Sequence, residues 1–410
     1  MKKRLISIML TLAMVITLVP VTPVTVVQAA ATTIKIGDYV QMGKYYGEPI
    51  LWRCVDIDAN GPLILADKIL TIKPFDALGS HKYMDGTKQA DPKGSRASYG
   101  GSDLWLTSNM RSWLNSTASA GSVKWLDGCA PTQDKVAGGN NDYAKEKGFL
   151  AGGNFSAGDR SVMKSVNQKS LLNPMDTSKL SMGGNVGHTY SYDISTIVQN
   201  YDTAYYHNAT DKMFLLDVKQ VNRVYQNSNT LGANYYIGKP TQKAVDNSDY
   251  KYSELSAIND WYYWLRSPYA NSSYGYYVRR VGNGGANNSA ALESHLGVRP
   301  AFYLDLQSAI FKSGNGSKGS PFSLNPEIHV KSVKLNKTSV SILKGKTSKL
   351  IPIINPSNAS NKKVTWKSSN VKIASVSSTG MMKGIKKGIA YITIVTMDGK
   401  KSARCKVVVK

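Results

Sequence analysis

Trp261-Tyr-Tyr-Trp-Leu-Arg-Ser-Pro268, Tyr276-Tyr-Val-Arg-Arg-Val281 and Val298-Arg-Pro-Ala-Phe-Tyr-Leu304 are three closely spaced apolar blocks. Their aromatic and β-branched content reads as strands. Pro268 and Pro300 each remove a ladder donor, so a block ends or lies at a sheet edge there. Between the blocks run Tyr269-Ala-Asn-Ser-Ser-Tyr-Gly-Tyr-Tyr277 and Gly282-Asn-Gly-Gly-Ala-Asn-Asn-Ser289, which read as solvent-facing loops. Gly282–Gly285 is a turn; it lacks the lysine and the strand–helix setting of a phosphate cradle. Tyrosine offers contact area at low side-chain entropy, and Asn and Ser offer adaptable hydrogen bonds, a mixture that suits paratopes and sugars. The candidate ligand-binding residues are therefore Tyr269, Asn271, Tyr274, Tyr276, Asn283, Asn287 and Asn288. The alternative is that the tyrosines pack beneath the loops and the amides are merely solvated.

Trp261, Trp264, Arg266 and Arg299 form a structural signature around this region. Trp264 is expected in the core, and the arginines are expected to tie strands to carbonyls or buried acids, with Asp260 and Glu293 as candidate partners. The sharper alternative is a cation–π or carboxylate-binding cluster.

Working outward, Ile34–Gln41 and Ile50–Ile57 read as paired strands, Leu63–Asp67 as a buried strand, and Lys212–Leu216 as another strand. Leu106, Met110, Trp113 and Leu114 share one helical face behind Ser108 as N-cap. Asp217 and Gln220 have capping-box spacing, opening a helix with Val221, Val224 and Tyr225 inward. Residues 119–200 are rich in Gly, Asn and Ser, and predict long loops with short elements.

Ile36-Gly-Asp-Tyr-Val-Gln41, Pro49-Ile-Leu-Trp-Arg53, Met110–Asn115, Asp211–Leu216, Trp261–Pro268 and Gly297-Val-Arg-Pro-Ala-Phe302 together resemble an uncharacterised domain family of exported bacterial proteins. The closing blocks are also similar to the last strands of C-type lectin-like folds, formylglycine-generating-enzyme-like domains included. That resemblance implies an α+β domain over 32–311: a twisted antiparallel sheet, flanking helices, and long loops as the binding face. A formylglycine-generating oxidase needs reactive cysteines near its closing strands, and residues 160–330 contain none.

Lys312–Pro321 concentrates Gly and Ser, so 312–330 reads as a linker. Beyond it, short β-branched runs alternate with turn signals over 331–410, the pattern of a small β-sandwich with Trp366 buried between its sheets. Leu335–Val340, Val364–Asn370, Ile373–Val376 and Thr379–Thr393 resemble the bacterial Ig-like domain, group 2. That family implies a spacer or adhesion module of surface proteins, without catalysis.

Compartment and charge narrow the function. Met1-Lys-Lys-Arg4, the uncharged run Leu5–Val19 and the small residues before residue 32 read as a secretory signal peptide over 1–31, with no transmembrane span in the mature chain. Of 51 Lys and Arg against 27 Asp and Glu, residues 331–410 hold 18 basic residues and one acid, Asp398. The excess is local, and in an exported protein it argues for an anionic cell wall rather than nucleic acid as partner. Lysines on exposed strands also discourage edge aggregation, which is the plainer account. The cysteines, Cys54, Cys129 and Cys405, match no metal knuckle or redox pair; Cys54 and Cys129 either form a disulfide or stay buried and reduced.

Catalytic patterns are thin. The five histidines are scattered, with no H-E-x-x-H motif and no G-x-S-x-G elbow. Ser161-Val-Met-Lys164 fits S-x-x-K without its companion motifs. No cofactor is expected; calcium at Asp56/Asp58 or Asp246/Asp249 is the alternative to solvated turn carboxylates. The chain thus reads as a secreted or surface-associated, non-enzymatic binding protein for an extracellular glycan or protein. The rival readings are a hydrolase using loop carboxylates and a purely structural wall component.

Overall fold

β1 (Tyr39–Tyr45) and β2 (Glu48–Asp58) pair through Tyr46 and Gly47, whose φ values of 48° and 84° put both turn residues in the left-handed region. Such a turn matches the twist of paired strands. The register slips between Gln41 and Lys44, across Gly43; a Cβ at Gly43 would sit 2.2 Å from the Phe155 ring. The backbone bulges there because an aromatic ring occupies the side-chain position.

The computed structural model describes residues 34–137, 141–176, 191–198, 206–269, 275–306, 309–326, 330–357, 359 and 361–410. The expected signal peptide and the candidate residues Asn271 and Tyr274 lie outside them. Further strands are β3 (Gly61–Ala66), β4 (Thr71–Ile72), β5 (Met163–Lys164), β6 (Val166–Leu171), β7 (Tyr206–Asp211) and β8 (Tyr263–Pro268). They continue with β9 (Tyr277–Gly282), β10 (Gly285–Ala290), β11 (Gly297–Val298), β12 (Ala301–Leu304), β13 (Ala309–Ser313) and β14 (Phe322–Pro326). One sheet runs β13-β14-β1-β2-β3-β12-β5, a second β10-β9-β8-β11-β4, and β6 pairs with β7. The chain is mostly β. Its described helices are short, the longest being Val218–Gln226, and none is long and apolar enough to cross a membrane.

The core is aromatic. Trp52 meets Phe302 edge-on at 5.0 Å and donates its indole N–H to the Met42 carbonyl; Trp113 packs on Phe149 and Tyr143. Ser108 and Asp217 cap their helices as the sequence predicts, Asp217 and Gln220 closing a full capping box. Val221 and Val224 are buried and Tyr225 half-buried. Three expectations need correction. Lys212–Leu216 is not a ladder strand: Phe214 exchanges both backbone hydrogen bonds with Ala301, but the Leu216 carbonyl already accepts from the Arg266 N–H. The strand of this region is β7, just before it.

The expected linker over 312–330 is partly sheet. β14 pairs parallel with β1 and antiparallel with β13. Phe311 and Phe322 pack 4.9 Å apart, which supplies the apolar contact that a Gly/Ser tally overlooks. The Gly/Ser tract is their connection, and its Gly316 carbonyl accepts from Tyr39.

The C-terminal strands are β15 (Ser332–Leu335), β16 (Ser339–Ile342), β17 (Thr347–Lys349), β18 (Pro352–Asn355), β19 (Val364–Ser368), β20 (Ala374–Val376), β21 (Met381–Gly384), β22 (Gly388–Thr396) and β23 (Ser402–Val409). Their sheets run β16-β23-β22-β19, β17-β21-β20 and β15-β18, around Leu350, Met382, Ile392, Ile394 and Val407. Trp366 sits on the edge strand β19 and is half-buried, not sealed between sheets. Its ring lies against the Gly380 turn, where a Cβ would approach to 2.7 Å.

Candidate functional site

The signature residues are placed by β8 and the turns around it. Trp264 is fully buried, donates to the Lys73 carbonyl and packs on Phe75. Arg299 spends its guanidinium on the carbonyls of Ala66, Tyr235 and Asp67, beneath the rings of Tyr235 and Tyr263. Arg266 donates to the Leu215 carbonyl, to Gln220 Oε1 and to Asp217 Oδ2 at 2.9 Å. Asp260 instead faces Lys239 at 3.5 Å, and Glu293 faces His295 at 3.4 Å. The two arginines hold strands and a helix start together.

The second stretch expected as a loop is a hairpin. β9 and β10 pair from Gly282↔Gly285 to Tyr277↔Ala290, with Asn283-Gly284 as the turn. Asn287 and Asn288 therefore lie on a strand, opposite Arg280 and Arg279. Asn287 is exposed and its amide oxygen accepts from the Asn288 backbone; Asn288 is half-buried. At one end of β9, Tyr269 stacks on Tyr192 at 6.4 Å, with hydroxyls 3.0 Å apart, and that hydrogen bond raises the Tyr192 pKa. The buried Arg279 lies under both rings. Tyr276 is half-buried, its ring seated where a Gly100 Cβ would be. Asn283 lies in the turn at the end of β9 away from Tyr277, and the Tyr192 carbonyl, which accepts the Ala286 N–H, reaches back toward that turn. The described candidates are thus strung along the hairpin rather than gathered in one loop.

Asn283 helps line a groove of about 420 Å³ with Trp261, Tyr262, Glu254, Asn259 and Asp260. Trp261 is held by its indole N–H on the His295 carbonyl, and Tyr250 and Tyr252 each lie 6.4 Å from its ring. Arg280 covers the Tyr262 ring at 3.9 Å. Trp261 is buried and Arg280 takes one face of Tyr262, so the open part of the groove is a half-buried aromatic edge with amides and carboxylates that can bond sugar hydroxyls. Tyr262 lies inside the conspicuous block, where it reads only as part of a strand, and Glu254 and Asn259 precede the block without forming a motif.

The other candidates are engaged elsewhere. Asp56 accepts from Arg223, Asp58 from the Tyr303 hydroxyl and the Asn60 N–H, and Asp246 from Gln242. Ser161 donates to the Gly158 carbonyl, and Lys164 to the Asn60 carbonyl. All three cysteines are buried and unpaired, so Cys54 and Cys129 form no disulfide. Burial pushes both of these thiols up to about 12, with neighbouring carboxylates adding to the effect.

Two buried polar knots escaped sequence reading. Arg96 bridges Asp176 at 2.6 Å and Asp103 at 2.8 Å and donates Nε to the Gly275 carbonyl. The second gathers His81, Asp76, Asp127 and Cys129, all buried. His81 Nδ1 lies 2.8 Å from Asp127 Oδ2 and 3.3 Å from Asp76 Oδ2. Burial, then the Asp127 charge, drives the Asp76 pKa well above the carboxylate range.

With this geometry in place, residues 63–306 match the family described as a domain of unknown function (DUF6273), and residues 329–407 match the bacterial Ig-like domain (group 2). The first match spans more than half of the 410 residues, and the chain belongs to that DUF6273 family. The Ig-like domain supports a surface or extracellular protein. An uncharacterised protein of Clostridium acetobutylicum is 36% identical over 75 residues, which are 18% of this chain and 8% of that protein. A kappa-carrageenase of Pseudoalteromonas carrageenovora is 38% identical over 74 residues, 18% of this chain and 19% of that enzyme. The chain thus spans less than a fifth of either relative. The S-layer protein SbsC is 16% identical over 32% of this chain and 25% of that one, at a TM-score of 0.19. SbsC domains 4 and 5 alone give 18% identity, 32% and 90% coverage and a TM-score of 0.18.

Proposed function

We propose that this is an exported bacterial binding protein that takes an extracellular glycan in the groove of Trp261, Tyr262 and Asn283, with the Ig-like domain as spacer. The observation that carries it is the chemistry of that groove: the half-buried Tyr262 beside Asn259, Asn283, Glu254 and Asp260, on a base set by the buried Trp261. Sugar rings stack through their CH faces, and their hydroxyls accept and donate to amides and carboxylates. The Tyr192–Tyr269 face is a second contact area on the same lectin-like reading of the domain. A glycan array probed with the full chain, with Tyr262→Ala and Asn283→Ala as controls, tests it. The expected result is a hit weakened at least tenfold by either substitution while the unfolding midpoint stays in place. Hits indifferent to both substitutions refute it.

Glu254 and Asp260 lining one groove favour a second reading, a hydrolase of extracellular polysaccharide. It requires these carboxylates at the separations glycosidases use, about 5 Å or about 6.5–9.5 Å. Release of reducing ends from a bound glycan, abolished in Glu254→Gln and Asp260→Asn, is its signature.

A further inference from the structure

We propose that His81, Asp127 and Cys129 form a buried structural site for a divalent transition-metal ion of the zinc type. A ring nitrogen of His81, a carboxylate oxygen of Asp127 and the Cys129 sulfur lie within 4.8 Å of one another. A tetrahedral zinc shell with bonds of about 2.0–2.3 Å sets its ligand atoms about 3.3–3.8 Å apart, so small side-chain rotations close the set. Asp76 adds a second carboxylate 3.3 Å from the same imidazole, a candidate for the fourth position.

Three features of the surroundings point to a ligand. First, His81 turns Nδ1 toward two carboxylates at once, Asp127 Oδ2 at 2.8 Å and Asp76 Oδ2 at 3.3 Å. With the ring proton on Nε2, the Nδ1 lone pair faces both oxygens, and a cation shared among them is what such an arrangement takes. Second, the pocket holds two carboxylates and a thiol against one imidazole, with His81 2%, Asp127 0% and Cys129 4% exposed. Such a set needs protons or a cation in place of solvent, and an ion that displaces those protons is held by all of these donors at once. Third, the backbone is shaped around the sulfur. The Cys129 N–H bonds Asp127 Oδ1 at 2.7 Å, Asn109 Nδ2 holds the Cys129 carbonyl at 2.6 Å, and a Cβ at Gly79 would come within 2.7 Å of Sγ.

Imidazole and thiolate select zinc-like ions over calcium or magnesium, which prefer oxygen. Full burial of the ligands leaves no path for substrate, so the role is structural, stapling the 81 and 127–129 segments to the start of the helix Asn109–Leu114.

The test uses the full chain. Metal content after chelator-free purification is expected near one zinc per chain. Cobalt substituted at the site is expected to give a thiolate-to-metal charge-transfer absorption that Cys129→Ser abolishes and Cys54→Ser and Cys405→Ser retain. Zinc is expected to raise the thermal midpoint of the metal-free wild type, and His81→Gln to weaken binding at least about 100-fold, beyond what outer-shell changes usually do. Folded wild-type protein that binds no zinc, or cobalt binding without a thiolate band, overturns the proposal. Should Cys129→Ser fail to fold, the wild-type cobalt spectrum and the two other cysteine variants still decide it.

Discussion

Arg266 Nη2 lies 2.9 Å from Asp217 Oδ2, while Asp217 Oδ1 accepts the Gln220 N–H at 2.7 Å. One carboxylate thus caps a helix and neutralises the arginine of the central strand block. Both charged side chains are nearly sealed, 3% and 7% exposed. Removing one partner of a buried pair leaves the other charge uncompensated, a cost of about 3–5 kcal/mol. Asp217→Ala is expected to lose that much, whereas Asp217→Asn keeps the cap and loses less. Urea unfolding at neutral pH measures both; equal losses would show that the ion pair, lost in both variants, dominates and that the cap adds little.

Arg96 repeats the device. Its guanidinium serves Asp103, Asp176 and the Gly275 carbonyl away from solvent, and the Ala90 carbonyl at the margin of the knot. Arg96→Met strands two carboxylates and is expected to destabilise by about 3–5 kcal/mol. Arg96→Lys is expected to recover little, because a point charge cannot reproduce the fork. Chemical denaturation compares the two; full rescue by lysine would contradict the geometry.

The parts of the fold that sequence exposes are the local ones. Ser108 and the Asp217–Gln220 pair announce their helices because a cap needs only three or four neighbouring residues. The alternation of Ser339–Ile342 and Gly388–Thr396 announces strands for the same reason. Lys212–Leu216 misleads because whether an extended apolar run joins a ladder depends on Ala301 and Arg266, far along the chain. Phe311 and Phe322 flank the Gly/Ser tract, and their packing across it is hidden from a local reading for the same reason. At the candidate site, the loop composition singled out Tyr269, Asn283, Asn287 and Asn288, which the β9–β10 hairpin spreads along its length. His81 and Cys129 meet across turns that carry no periodicity, so no spacing rule could have joined them.

His207, on β7, gives a pH signature. Burial, then the charges of Arg111 and Arg266, lowers its pKa from 6.5 to about 3. As pH falls below 6.5 the unfolded chain binds a proton that the folded chain refuses, so stability falls by about 1.4 kcal/mol per pH unit until the folded pKa is reached. Between pH 7 and pH 5 this group alone is expected to cost about 2 kcal/mol. Neither ring nitrogen has a hydrogen-bond partner among the described residues, so His207→Leu is expected to hold its stability at pH 7 and to flatten the pH profile. Urea midpoints at pH 5, 6 and 7 check it; identical slopes for wild type and variant would contradict the assignment.

Residues 331–410 carry 18 Lys and Arg and a single acid, and lysines such as Lys334, Lys349 and Lys383 are exposed on strands. A surface of one sign attracts a polyanion, and the attraction is screened beyond about 8 Å at physiological ionic strength. The full chain is therefore expected to sediment with purified anionic cell walls at low salt and to be released as salt rises. Lys→Glu replacement at Lys334, Lys349 and Lys383 together reverses six units of charge without touching the core, and is expected to lower retention severalfold at low salt while leaving the groove's glycan binding unchanged. Co-sedimentation across a salt series measures this. Retention that ignores both salt and the triple substitution would mean that these lysines serve only to keep strand edges apart.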